Sequence, residues 1–174
     1  VVSVVLNFDA EIEKSRGRAP KPPVGEREGR LQRARDAMSR RGLDALLVYG
    51  SAEVNADPIR YLSGYVHVFP SASSLLLVPL EGKPILLVDQ PWHLDEARKM
   101  SFVEDVRPYP NPGRTWLADE LRTTIRDAFA TAKLERGRIG ILGGGTPLVY
   151  RDVLEAAVPD TTLAAEGAAV WADL

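Results

Sequence analysis

The chain has 174 residues and 19.1 kDa, enough for one domain that buries about 70% of its unfolded surface without disulfides or metals. It has no cysteine, which excludes disulfide frameworks, thiolate metal sites and cysteine nucleophiles, and His67 and His93 are its only imidazoles. A net charge of −2 and a pI near 5.8, with 45% hydrophobic and 26% charged residues, argue against a dedicated nucleic-acid binder.

The opening run Val1-Val-Ser-Val-Val-Leu6 reads as a β-strand and is too short to span a membrane. It lacks the basic flank and cleavage site of a signal peptide, which is compatible with a cytoplasmic protein. Residues 9–25 carry Pro20, Pro22, Pro23, Gly17 and Gly25 without periodicity, so residues 1–25 are expected to form a strand and a proline-rich arm. The domain body is expected over 26–174. Leu31, Ala34 and Met38 recur at helical spacing from Glu26 to Arg41, and Gly42 stands at the expected helix end. Residues 11–44 hold ten Lys/Arg against six Asp/Glu, an excess of four that reads as a solvated arginine face or as a contact for an anionic partner.

Asp44–Gly50 reads as a buried strand. Strands are expected at Ser74–Pro79 and Pro84–Asp89, joined in a hairpin by Glu81-Gly82-Lys83. A helix over Trp92–Met100 and a strand over Phe102–Tyr109 follow. The next helix spans Trp116 to Lys133, with Leu117, Leu121, Ile125, Ala128, Phe129 and Ala132 on one stripe. After a strand at Arg138–Leu142, Thr146 is expected to cap a helix with Pro147 at its first position, running to Ala157. Leu163–Ala165 is a last strand, and Gly167–Leu174 opens a helix. This order predicts an α/β fold with a mixed β-sheet flanked by helices. The first residue is valine and the last helix is unfinished, as expected for a piece of a longer polypeptide.

The search for chemistry is nearly empty. The turn Gly143-Gly144-Gly145 follows a strand and precedes a helix, a context that suits an anion. Yet it matches neither the dinucleotide fingerprint nor the phosphate loop, and Pro147 removes one amide. A plain turn and an anion-binding module both remain open. His67 and His93 form no local ligand pair, and His93 reads as structural or surface. Asp57 and Asp89 lie near element edges, where a magnesium-dependent nuclease would want ligands, but no third acid joins them. No serine stands in a nucleophile elbow. No catalytic or metal-ligating residue is assigned.

One ordered set of segments is more informative. Met38-Ser-Arg-Arg-Gly-Leu-Asp-Ala-Leu-Leu-Val48 leads to Pro58-Ile-Arg-Tyr-Leu-Ser-Gly-Tyr65, then to Leu75-Leu-Leu-Val-Pro79 and Pro84-Ile-Leu-Leu-Val-Asp89. With Arg138-Ile-Gly-Ile-Leu142 and the last helix, this resembles the N-terminal domain of the creatinase/prolidase/Xaa-Pro aminopeptidase family over about 27–174. Ser63 replaces the family's usual threonine, Asn55-Ala-Asp57 pads the turn before Pro58, and residues 1–25 have no counterpart in the pattern.

The resemblance implies a two-domain parent whose catalytic, pita-bread domain is absent from this chain. That domain would hold a dinuclear divalent metal centre (Mn, Zn or Co) on two aspartates, a histidine and two glutamates. The parent would be a metallohydrolase acting on prolyl peptides or small amides, and the fragment alone would carry neither catalysis nor cofactor. Its partners would be the parent's own catalytic domain and a second copy, in a homodimer or higher homo-oligomer, without nucleic acid or membrane. The loop Tyr65-Val-His-Val-Phe-Pro70 corresponds to a family segment that narrows substrate access. In an extended chain Tyr65, His67 and Phe69 share one face, either as a substrate wall or packed on the domain's own core.

Overall fold

A computed structural model describes residues 21–68, 72–89, 93–110 and 118–174. The expected opening strand, most of the arm, Phe69 and Leu117 lie outside these residues. In chain order the elements are α1 (Val24–Ser39), β1 (Ala45–Ser51), α2 (Ala56–Ser63), β2 (Ser73–Pro79), β3 (Ile85–Asp89), α3 (Leu94–Met100), β4 (Asp105–Tyr109), α4 (Ala118–Thr131), β5 (Arg138–Leu142), α5 (Leu148–Ala157), β6 (Thr162–Ala164) and α6 (Gly167–Ala172).

The described strands form one six-stranded mixed sheet in the order β4-β3-β2-β1-β5-β6. The Gly82 turn, with φ +103°, closes the expected β2–β3 hairpin. β2 is antiparallel to both neighbours, whereas β1/β5, β5/β6 and β3/β4 are parallel. Every strand but β2 therefore ends on one edge, and β2 begins there. Strands β1, β2 and β3 are apolar almost throughout because both faces are covered. Leu47, Tyr49, Leu75, Leu77 and Leu87 meet α4 and α5 on one side. Leu46, Val48, Leu76, Val78 and Leu86 meet α1, α2, α3 and α6 on the other.

The expected stripe of α4 is the buried one, with Leu121, Ile125, Ala128 and Phe129 enclosed. α1 buries only Ala34, Ala37 and Met38. Its arginines do much of the remaining attachment. Arg35 donates to the carbonyls of Pro79 and Gly82 at 3.3 and 2.5 Å, and Arg41, just past the helix end, reaches the Ala37 carbonyl and Asp173 at 3.0 and 2.7 Å. A substantial part of the arginine face is thus tied to its own chain.

Two expectations change, and one segment without a predicted element is now defined. The Pro58–Ser63 segment is helical, entered through Asn55 at φ +51° and closed by Gly64 at φ +75°. Pro58 is tolerated because the first turn's amides have no intrahelical partner. β4 starts at Asp105, not Phe102, because the Phe102 amide bonds the Ser63 carbonyl and the Val103 amide bonds Ser101 Oγ. Thr146 does not cap α5. The helix begins at Leu148 after Pro147, with no side-chain cap bond, and the Thr146 amide instead closes a turn onto Gly143 O at 2.8 Å.

Candidate functional site at the carboxyl edge of the sheet

In open α/β sheets ligands gather at the edge where parallel strands end. Here that edge carries the chain's main buried polar cluster. The β2–β3 pairing of Ser74 with Val88 and the β3–β4 pairing of Asp89 with Tyr109 align Ser73, Asp89 and Tyr109 across three strands. Ser73 Oγ lies 2.6 Å from Tyr109 OH, 3.0 Å from Tyr150 OH on α5, and 3.3 Å from Asp89 Oδ2. The two phenol oxygens are 3.0 Å apart. His93 Nδ1 faces the Asp89 carbonyl at 2.9 Å and Oδ1 at 3.1 Å, so it acts as the N–H donor.

The protons can be counted. Four oxygen–oxygen contacts link the three hydroxyls and the carboxyl group. With Asp89 ionised, the hydroxyls supply three protons and one contact stays unfilled. With Asp89 protonated on Oδ2, the acid donates to Ser73 and the hydroxyls circulate their protons around the triangle, filling all four. Asp89 is fully buried, and burial raises its pKa against the opposing hydrogen bonds from Ser73 and His93. Burial likewise pushes Tyr150 up to about 12 and Tyr109 well above its usual value, so both phenols remain donors. Nothing in this cluster meets solvent as a nucleophile. Its geometry locks β2, β3, β4 and α5 together beneath the edge.

The segment leading from α2 to β2 crosses this edge. Its alternation is the expected one, and in the described residues the rings face inward. Tyr65 and His67 are buried, whereas Val66 and Val68 are 42% and 36% exposed. The two rings meet edge to face with centroids 4.9 Å apart, and His67 Nε2 lies 2.9 Å from Ser74 Oγ. Burial pushes the His67 pKa down to about 4, with the Gly50 backbone opposing and His93 adding a little.

The native imidazole is therefore neutral where an unfolded one, near 6.5, would take a proton. This contribution is complete above pH 6.5 and is lost as pH falls toward 4, up to about 3 kcal/mol. Urea unfolding of the wild type and His67→Gln at pH 7.5 and 4.5 checks it. The variant is expected to lose markedly less stability on acidification; parallel losses would reject the assignment.

Other sequence candidates are placed elsewhere. His93, expected to be structural or surface, is buried and structural. Asp57 is exposed on α2 while Asp89 is sealed in the cluster, and among the described residues no group of three His, Cys, Asp or Glu can hold a metal ion. The Gly143–Gly145 turn has Gly145 at φ +78°, and a side chain on Gly145 would press on Val54 at 3.0 Å. Asn55 Nδ2 braces the same turn through the Tyr49 and Gly144 carbonyls at 2.9 and 3.3 Å. With the Thr146 amide committed and Pro147 lacking one, the turn is explained by docking onto α2's entry. Sequence reasoning passed over Ser73, Tyr109 and Tyr150. The available signal was a polar or phenolic residue where each of β2, β3 and β4 meets that edge, and it does not extend to Tyr150 on α5.

Fold and edge together define a two-faced α/β domain with a sealed polar cluster under its carboxyl edge. Residues 30–171 match the creatinase/prolidase N-terminal domain, and the chain belongs to that family. Among solved structures it is similar to the N-terminal domain of the cytoplasmic peptidase PepQ from Mycobacterium tuberculosis H37Rv, at 19% identity and TM-score 0.58, covering 84% of this chain and 98% of that one. It is also similar to an Xaa-Pro aminopeptidase from Streptococcus thermophilus, at 17% identity and TM-score 0.55, covering 81% and 94%. Against the dipeptidase PepE from Mycobacterium ulcerans, at 17% identity and TM-score 0.62, it covers 89% of this chain but 38% of that one. No curated protein matches the sequence. Among the described residues no helix is long and apolar enough to cross a membrane.

Proposed function

We propose that this chain is the non-catalytic N-terminal domain of a metal-dependent Xaa-Pro peptidase or creatinase-like amide hydrolase, where it shapes access to the active site and takes part in subunit contacts. The family match over residues 30–171 carries this reading. The 38% coverage of PepE supports it, because that chain continues well beyond the shared domain. The described residues of this chain do not fit a metal centre. Under this reading divalent ions are held by a separate catalytic domain, where they would supply Lewis-acid activation of an amide and its attacking water.

Within this reading the 65–69 segment is the access element. Tyr65 and His67 anchor it from below, and Val66 and Val68 present an apolar surface next to which Phe69 follows in sequence. The protein acts in the cytoplasm as a homodimer or larger homo-oligomer, on a prolyl peptide or small amide. Neither nucleic acid nor membrane takes part. The test uses the enzyme that contains this chain. Val66→Arg and Phe69→Ala are expected to raise KM for an Xaa-Pro dipeptide by about tenfold with a smaller change in kcat, as loss of about 1.4 kcal/mol of uniform binding would. Unchanged kinetics in both folded variants would remove the access role.

A further inference from the structure

We propose that the cleft between the first half of α1, α2 and α6 is a docking surface for an acidic polypeptide segment. The cleft has a volume of about 470 Å³, and Tyr61 and Trp171 form its aromatic floor, their rings edge to face at 5.6 Å. Val66, 42% exposed, lies on its rim.

Guanidinium groups are laid on the aromatic rings around it. Arg30 and Arg33 sit 4.7 and 5.9 Å from the Tyr61 centroid, and Arg27 sits 5.6 Å from that of Phe102. Arg33 donates through Nε and Nη2 to Tyr61 OH at 3.1 and 2.6 Å, and Arg27 donates through Nε to the Pro22 carbonyl. Arg27 and Arg33 are each fixed by one side of the fork and keep further N–H donors, whereas Arg30 is held by Glu26 and the Tyr61 carbonyl. Stacking of this kind removes rotamer freedom before a ligand arrives, so less entropy is lost on binding.

The charges are unequal. Glu26 pairs with Arg30, but among the described residues Lys21, Arg27, Arg33 and Arg60 have no carboxylate within ion-pair distance. Among the described residues Asp57 is the one acid lining the cleft. This excess stands on a chain whose net charge is −2. Arg35 and, past the end of α1, Arg41 point away from this cleft, to the Pro79 and Gly82 carbonyls and to the Ala37 carbonyl and Asp173. Preplaced forks beside an aromatic floor fit carboxylates separated by an apolar side chain. The net negative charge opposes the unbroken phosphate charge of a nucleic acid more than a peptide whose few carboxylates are spaced by apolar side chains that the aromatic floor can cover, which favours the polypeptide.

The experiment follows the Trp171 indole and the arginine Nε–H signals of the 174-residue chain by NMR. The probes are acetyl-Glu-Leu-Glu-Glu-Leu-Glu-amide, the same peptide with lysine for glutamate, and a short oligothymidylate. The acidic peptide is expected to shift signals of Trp171, Arg33 and Arg60, with affinity falling as salt rises. Arg33→Gln and Arg60→Glu together are expected to weaken it about tenfold, and Arg151→Glu on α5 is expected to leave it unchanged. No saturable shift, equal binding of the lysine peptide, or insensitivity to the arginine substitutions would overturn the proposal. Tighter binding of the oligothymidylate would overturn it in favour of a nucleic-acid surface.

Discussion

Gly167→Ala is expected to destabilise the protein by about 3 kcal/mol or more, at the upper end of overpacking costs and a large part of a domain's usual stability. Gly167 opens α6, which packs against the end of β5. A Cβ there would stand 2.2 Å from the Leu142 amide nitrogen and 2.3 Å from the Ile141 carbonyl carbon. Both are backbone atoms of a strand held here in register with Leu47 and Val48 of β1, so neither can turn away as a flexible side chain would. Relief requires α6 to lift, and with it Val170, which is fully buried. Gly144→Ala is the control, since a Cβ there meets nothing within 4 Å. It is expected to change stability by less than about 0.5 kcal/mol. Urea midpoints of the two variants decide the matter; equal midpoints would contradict the close packing of α6 on β5.

The second large effect separates two substitutions at Asp89. Asp89→Ala is expected to cost about 3 kcal/mol, because it removes the carboxyl partner of Ser73 Oγ and one of the two acceptors facing His93 Nδ1 inside a sealed cluster. Asp89→Asn is expected to cost far less. Its Oδ1 still accepts from His93 Nδ1 and its amide donates to Ser73 Oγ, as the protonated acid does. The proton count predicts this difference, because a neutral donor at that position fills every contact in the hydroxyl triangle. The pH dependence has a definite sign. A carboxyl whose folded pKa is raised binds its proton more tightly in the native state, so its contribution to stability falls as pH rises above the ordinary aspartate value of 3.8. This opposes the His67 contribution, and Asp89→Asn removes it. Equal destabilisation by the alanine and asparagine variants would show that Asp89 is held as an ion.

Much of the fold was legible because it follows from periodicity. Alternation of strand and helix predicted the mixed sheet, the Gly82 turn predicted the hairpin, and the Leu121–Phe129 stripe is the buried face of α4. The α2 helix was hidden for a local reason. Eight residues containing a proline carry too little periodicity, and its start depends on Asn55 adopting a left-handed conformation. Thr146 misled because a threonine before a proline has the residue types of a cap, while the helix starts one residue later, at Leu148, with Pro147 itself in the cap position. The candidate site was half legible. Alternation correctly grouped Tyr65 with His67, but the side of the segment they occupy depends on Ser74 and Tyr65's own packing beneath it. Ser73, Asp89, Tyr109 and Tyr150 span almost eighty residues of sequence, |i−j| = 77 between Ser73 and Tyr150, and only strand order brings them together.

The most direct test of the proposed role is to read the coding sequence beyond the codon for Leu174. The proposal predicts that the frame continues into a second segment carrying two aspartates, a histidine and two glutamates in that order as metal ligands. A stop codon at that position would contradict it.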